Sequence, residues 1–175
     1  MENQFIMTAF GKDRPGIVAE ISELIFENKC RLEDSNMGRL ADEFTLILLL
    51  SGTGEDLQEK LSTECKRLER EKNISAFIRP LEFQRIEEKN GDDLFTIKVD
   101  GIDQAGIVYK VSRLLAENRV NIETLRSRKK HLPNTGTAMY SMEITARIPD
   151  SISHEDLEKK METLANDIHL DIRIS

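Results

Sequence analysis

Apolar positions recur along the chain in two alternating rhythms. Ile17, Val18, Ile21, Leu24 and Ile25 fall at i, i+1, i+4, i+7 and i+8, which puts them on one face of a helix. Ile107, Val108, Val111, Leu114 and Leu115 repeat that spacing. Leu57, Leu61, Cys65 and Leu68 predict a second helix in the first half, matched by Leu157, Met161 and Leu164 in the second. Elsewhere the period drops toward two. Residues 5–10 and 94–99 predict leading strands, and residues 32–40, 44–50, 122–130 and 137–148 predict two more in each half. Ile74, Ala76 and Ile78, and Ile168, Leu170, Ile172 and Ile174, alternate as closing strands. The order is βαββαβ, twice. A sheet covered on one face by two helices is the ferredoxin-like arrangement, an α+β class.

The rhythm repeats because the sequence does. GKDRPGIVAEISELIFENK (11–29) returns 90 residues later as GIDQAGIVYKVSRLLAENR (101–119). FTLILL (44–49) meets YSMEIT (140–145) at an offset of 96, and EDLQEKL (55–61) meets EDLEKKM (155–161) at 100. The drift implies a longer loop near residues 131–136 and a last helix that returns six residues. Loops and helix ends are where insertions are tolerated. The chain therefore reads as two domains, 1–86 and 93–175, joined by the polar stretch EEKNGD at 87–92. On length alone 175 residues would be a single domain; an internal repeat overrides that prior.

Charge narrows the function. The net charge is -7, with 12 basic against 16 acidic residues in 1–85 and 13 against 16 in 86–175. Neither half is a basic module, which argues against direct binding to nucleic acid. No apolar run approaches the ~20 residues of a membrane span. The start, MENQFIMTAF, lacks a basic region followed by a long apolar one. Cys30 and Cys65 form no CxxC and no cluster with the three histidines, so they read as reduced core thiols of a cytoplasmic protein. No metal site is expected.

The stretch GKDRPGIVAEISELIFENKCRLED resembles the opening of an ACT domain, the small-molecule-sensing βαββαβ module of amino-acid metabolism, and GIDQAGIVYKVSRLLAENRVNIETL resembles a second. Two such units with nothing else, together with PNTGTAMYSMEITARIPD, are similar to the glycine cleavage system transcriptional repressor family. That resemblance implies regulation, with glycine as the suggested effector. It also implies a site shared by two paired units, within one chain or between two. One unit supplies the turn after its first strand, the other the start of its second strand. The turns are Gly11, Asp13, Arg14, Pro15, Gly16 and Ile17 in the first unit and Asp103, Gly106 and Ile107 in the second. The asparagine expected at the second strand is Asn121; its counterpart is Arg31. If the units pair through their second strands, Asp13 faces Asn121 and Asp103 faces Arg31.

The residues themselves suit such a ligand. A turn that opens a helix presents unpaired N–H groups at the positive end of a dipole, a natural seat for a carboxylate. An aspartate beside it accepts from an ammonium group, and glycines at 11 and 16 permit close approach. Pro15 suits a helix's first turn. The same residues also suit a plain strand-to-helix turn with Asp13 as N-cap. Asn28 and Asn118 read as left-handed helix caps.

Arg126, Arg128 and Lys130 alternate on one strand face. They suit docking to an acidic partner or to nucleic acid, or protection of an exposed edge, the last being the commoner use. No HExxH, Walker loop or nucleophile elbow occurs, so no enzyme is expected. The signal should then pass to a protein partner. The resemblance points to a DNA-binding activator; a metabolic enzyme tuned by a free-standing regulatory subunit is the alternative. An RNA-binding sheet would need exposed aromatics, and aromatics are only 5% here.

Overall fold

The computed structural model describes residues 2–81, 94–149 and 152–175. The chain divides into two compact units, Met1–Ile86 and Glu87–Ser175. The expected junction at 87–92 lies outside the described residues. Unit 1 runs β1 (Glu2–Lys12), α1 (Ile17–Glu27), β2 (Arg31–Leu40), β3 (Glu43–Thr53), α2 (Leu57–Lys72) and β4 (Ser75–Leu81). Unit 2 runs β5 (Leu94–Ile102), α3 (Ile107–Glu117), β6 (Asn121–His131), β7 (Ala138–Arg147), α4 (His154–Ile168) and β8 (Asp171–Ile174). Each unit is thus βαββαβ. Its antiparallel sheet has the order β2-β3-β1-β4 or β6-β7-β5-β8.

Alternation along the strands decides which face is covered. In unit 1, Phe5, Met7 and Ala9 of β1 and Phe44, Leu46, Leu48 and Leu50 of β3 are buried. They pack with Ile17, Ile21, Leu24 and Ile25 of α1 and Leu57, Leu61, Cys65 and Leu68 of α2. In unit 2, Ile97 and Val99 meet Met142, Ile144 and Ala146, under Ile107, Val111 and Leu115 and under Leu157 and Met161. Residues 44–50 are therefore buried on one face only, for Ile47 points away and is half exposed. Among the described residues, no helix is long and apolar enough to cross a membrane.

Two expectations need correction. Asn28 and Asn118 are not the left-handed residues; Lys29 and Arg119, one position on, have φ near 55°. Each asparagine instead folds its amide back onto the helix, Nδ2 donating to the carbonyl of Leu24 (2.8 Å) or Leu114 (2.7 Å). That side-chain bond satisfies a last-turn carbonyl without the backbone reversal. The last helix returns four residues rather than six. Leu68 and Ile168 align at offset 100, whereas the left-handed caps Asn73 and His169 align at 96. The remaining six stay in the β6–β7 loop, which closes on itself through Gly136 N–H to Leu132 O and Leu132 N–H to Thr137 O, both 2.9 Å.

Candidate functional site

Each first strand delivers its aspartate into a turn pinned by the second hairpin. The N–H of Asp13 donates to Asp42 O (2.8 Å) and that of Asp103 to Ala138 O (2.9 Å). Gly16 and Gly106 then take φ of 92° and 90°, a left-handed conformation that side chains adopt only with strain. Among the described residues nothing lies within 4 Å of where a Cβ would project at either position, so those residues leave the space above both turns open. Gly11 and Gly101 differ in kind. A Cβ at Gly11 would stand 3.0 Å from Asn73 O, and one at Gly101 would run into the Leu170 side chain. Those two glycines serve the packing of the first strand against the end of the second helix.

The helices start unsatisfied. Gly16 and Gly106 are the N-caps of α1 and α3 and neither helix has a side-chain cap, so Asp13 is not an N-cap. Pro15 lies in the turn just before the helix. The first carbonyl used is that of the cap itself, accepting from Glu20 (3.0 Å) or Lys110 (2.9 Å). Among the described residues the N–H groups of Val18, Ala19, Val108 and Tyr109 have no acceptor. Such groups carry the positive end of the helix dipole.

Both aspartates sit beside a cation from their own unit's second strand. Arg39 Nε lies 3.3 Å from Asp13 Oδ2 and also donates to Ala41 O (3.1 Å). Lys129 donates to Asp103 at close range. Arg39 and Lys129 are themselves 90 residues apart. This pairing was missed in the sequence, although the signal was present: a basic residue recurs at the offset that relates the two turns. Arg14 and Gln104 also do one job. Arg14 forms a two-pronged pair with Glu20 (3.0 and 2.6 Å) and reaches Lys72 O (3.5 Å) at the end of α2. Gln104 Nε2 donates to Ile168 O (2.6 Å) at the end of α4. The Arg14 hydrogen bonds hold the Glu20 carboxyl below its ordinary range.

The second strands begin at Arg31 and Asn121, each followed by a bulge, between Leu32 and Asp34 or between Ile122 and Thr124. The bulge residue is a glutamate in both. Glu123 accepts from Asn121 Nδ2 (2.9 Å) and from Arg147 Nε (3.2 Å). The Arg147 hydrogen bond, then that of Asn121, holds the Glu123 carboxyl below its ordinary range. Arg31 is exposed. A single unit does not bring its turn and its second-strand start together. Gly11 pairs with Phe44 and Phe44 with Arg39, whereas Arg31 pairs with Ser51, opposite Gln4. Eight residues of strand separate Arg31 from the turn end, roughly 26 Å.

Among the described residues no group of three His, Cys, Asp or Glu is placed to hold a metal. Both thiols are free, and burial pushes that of Cys65 up to about 11.

The chain matches the ACT domain model over residues 3–78. It is 28% identical over 174 residues to the glycine cleavage system transcriptional repressor of Escherichia coli, covering 96% of this chain and 87% of that one. A UPF0237 protein of Methanopyrus kandleri is 31% identical over 74 residues, 42% of this chain and 82% of its own. Among solved structures, a protein of unknown function from Galdieria sulphuraria superposes with a TM-score of 0.79 at 21% identity, covering 100% and 98% of the two chains. A candidate glycine cleavage system transcriptional repressor superposes at 0.75 with 19% identity, covering 100% and 97%. At those identities the superpositions establish the fold.

Proposed function

The chain belongs to the ACT domain family, and from that premise we propose that it senses a small amino acid and passes the signal to a protein partner. Its repressor relative makes glycine the first effector to test, and control of transcription in glycine metabolism the first role, exerted in the cytoplasm through a DNA-binding activator. One observation carries the reading. Each β1–α1 or β5–α3 turn carries a carboxylate, Asp13 or Asp103, a few residues ahead of helix-start N–H groups that, among the described residues, have no acceptor. An acceptor and unsatisfied donors in one short stretch match the ammonium and carboxylate of a zwitterion. The second-strand start of another unit, Asn121 opposite Asp13 and Arg31 opposite Asp103, completes the site in this reading.

A thermal-shift screen of the full chain against the twenty amino acids tests it. Ligand at about 100 times its Kd stabilises by roughly 2.7 kcal/mol, several degrees for a domain of this size. A flat melting temperature at millimolar concentration for all twenty sinks the effector class.

A further inference from the structure

The face of the unit 2 sheet that points away from its helices carries an uncompensated positive row. Arg126, Arg128 and Lys130 of β6 stand opposite Glu143, Ser141 and Met139 of β7, so all three side chains share that face. The other charges there are engaged. Lys98 lies 3.7 Å from Glu143, Arg173 is bound by Asp171, and Asp100 adds to the field on Arg173. Among the described residues the three β6 cations have no hydrogen bond or ion pair. They line a concavity of about 520 Å³ whose floor includes Asp100, Ser141 and Glu143. In a chain of net charge -7, an unpaired cationic row calls for an anionic partner.

Protection of the sheet edge does not by itself call for cations at these three positions. The corresponding positions on β2, opposite Ile47, Thr45 and Glu43, are Asn36, Gly38 and Leu40. Those three positions of the unit 1 edge are uncharged, and the charges of β2 fall elsewhere, at Arg31, Glu33, Asp34 and Arg39.

We infer that this face docks an extended acidic segment of a partner protein, with carboxylates at alternate positions meeting Arg126, Arg128 and Lys130. Alternate residues on a strand are roughly 6.5–7 Å apart. The row therefore spans more than any single small anion reaches, and an extended peptide repeats its side chains at the same interval. Asp100 and Glu143 in the same concavity select against a phosphate chain, which has nothing but negative charge to offer them. A peptide turns neutral or basic residues toward them. Tyr140, the one ring among the residues lining the concavity, packs against the core, which argues against base stacking.

The test is fluorescence anisotropy on the full chain, without any amino-acid effector, so its result is independent of the sensing reading. The probe is a labelled peptide with three Glu separated by single Thr residues. Controls are the same residues with the Glu in one block, and a short oligothymidylate. Removing three exposed charge pairs should weaken the alternating peptide by roughly tenfold or more in R126S/R128S/K130S. The charge-matched K60S/K66S/K110S, altered at exposed helix positions, should bind normally. R126E/R128E/K130E should take the peptide with Lys in place of Glu. If the triple variant fails to fold, Arg128→Ser alone should lose about threefold. Equal losses from both triple variants, equal binding of alternating and blocked peptides, or row-dependent binding of the oligothymidylate overturns the proposal.

Discussion

On the side of unit 1 turned away from the helices stand Ile6, Thr8 and Phe10, paired with Leu49, Ile47 and Thr45, and then Phe77 opposite Thr8. Phe10, Ile47 and Phe77 are 44%, 51% and 55% exposed. The same places in unit 2 hold Thr96, Lys98 and Asp100, paired with Thr145, Glu143 and Ser141, and then Arg173 opposite Lys98. The helix-facing sides do not diverge in this way. Met7 and Leu48 in one unit and Val99 and Met142 in the other are all buried, because each must meet the apolar stripes of two helices. Packing dictates one face of the sheet and leaves the other free. What differs on the free face reports what each unit meets, not how it folds.

The largest effects should therefore come from the shared face and be alike in both units. Leu61 and Met161 occupy equivalent helix positions and are essentially unexposed. Leu61→Ala and Met161→Ala should each cost about 2–5 kcal/mol in denaturant unfolding. A loss below about 1 kcal/mol in either one would break the equivalence of the cores.

Next in size is a difference at the turns. Asp13 meets Arg39 at 3.3 Å, while Lys129 is drawn close onto Asp103, so Asp13 is the freer acceptor for a ligand's ammonium. Asp13→Ala should weaken amino-acid binding by about ten- to a hundred-fold, the size of a lost charge-assisted hydrogen bond. Asp103→Ala should do much less. Equal losses in calorimetry, or two equivalent sites per chain, would make the two turns functionally alike.

Periodicity made the fold legible, since both rhythms survive wherever one side of an element is buried. Element type and order followed from Ile17–Ile25-style spacing and from the alternation of Ile74, Ala76 and Ile78. Positions set by backbone geometry were less visible. Asn28 looked like a left-handed cap, but Lys29 took that conformation, because Asn28 bonds Leu24 O through its side chain. At the turns the aspartates and glycines were readable from their repetition. The roles of Arg14 and Gln104 were not, because both reach a helix end far away in sequence. Arg39 and Lys129 were equally hidden, since nothing local says that the far end of a second strand returns to the turn.

A smaller asymmetry is chemical. Cys65 in unit 1 is matched by Ala165 in unit 2, both buried. Burial first, then Glu64, raises the Cys65 thiol from 9.0 to about 11. The unfolded chain therefore ionises first. The thiol's contribution is intact below pH 9 and is lost as the pH rises toward 11. At most about 1.4 kcal/mol is at stake per pH unit. Wild-type stability should decline over that window, and Cys65→Ala should decline less steeply. Parallel curves in urea titrations at pH 8 and 10.5 would remove the thiol from the account.

The smallest effects belong to the free faces, where exchange between units should be nearly neutral for stability. Ile47 and Glu143 hold the same place in the two sheets, and both are exposed. Ile47→Glu removes apolar surface that already faces water, so the fold should lose or gain within about 0.5 kcal/mol. Glu143→Ile deletes the partner of Lys98 at 3.7 Å, an exposed pair worth roughly 0.2–1 kcal/mol. The visible consequence should instead be at the surface. Fluorescence of a dye that reports exposed apolar patches should fall in Ile47→Glu and rise in Glu143→Ile, because the dye follows contiguous apolar area. A loss of about 2 kcal/mol or more in Ile47→Glu would mean that the apolar face of unit 1 supports its fold. The contrast between the two faces would then be one of packing and not of partners.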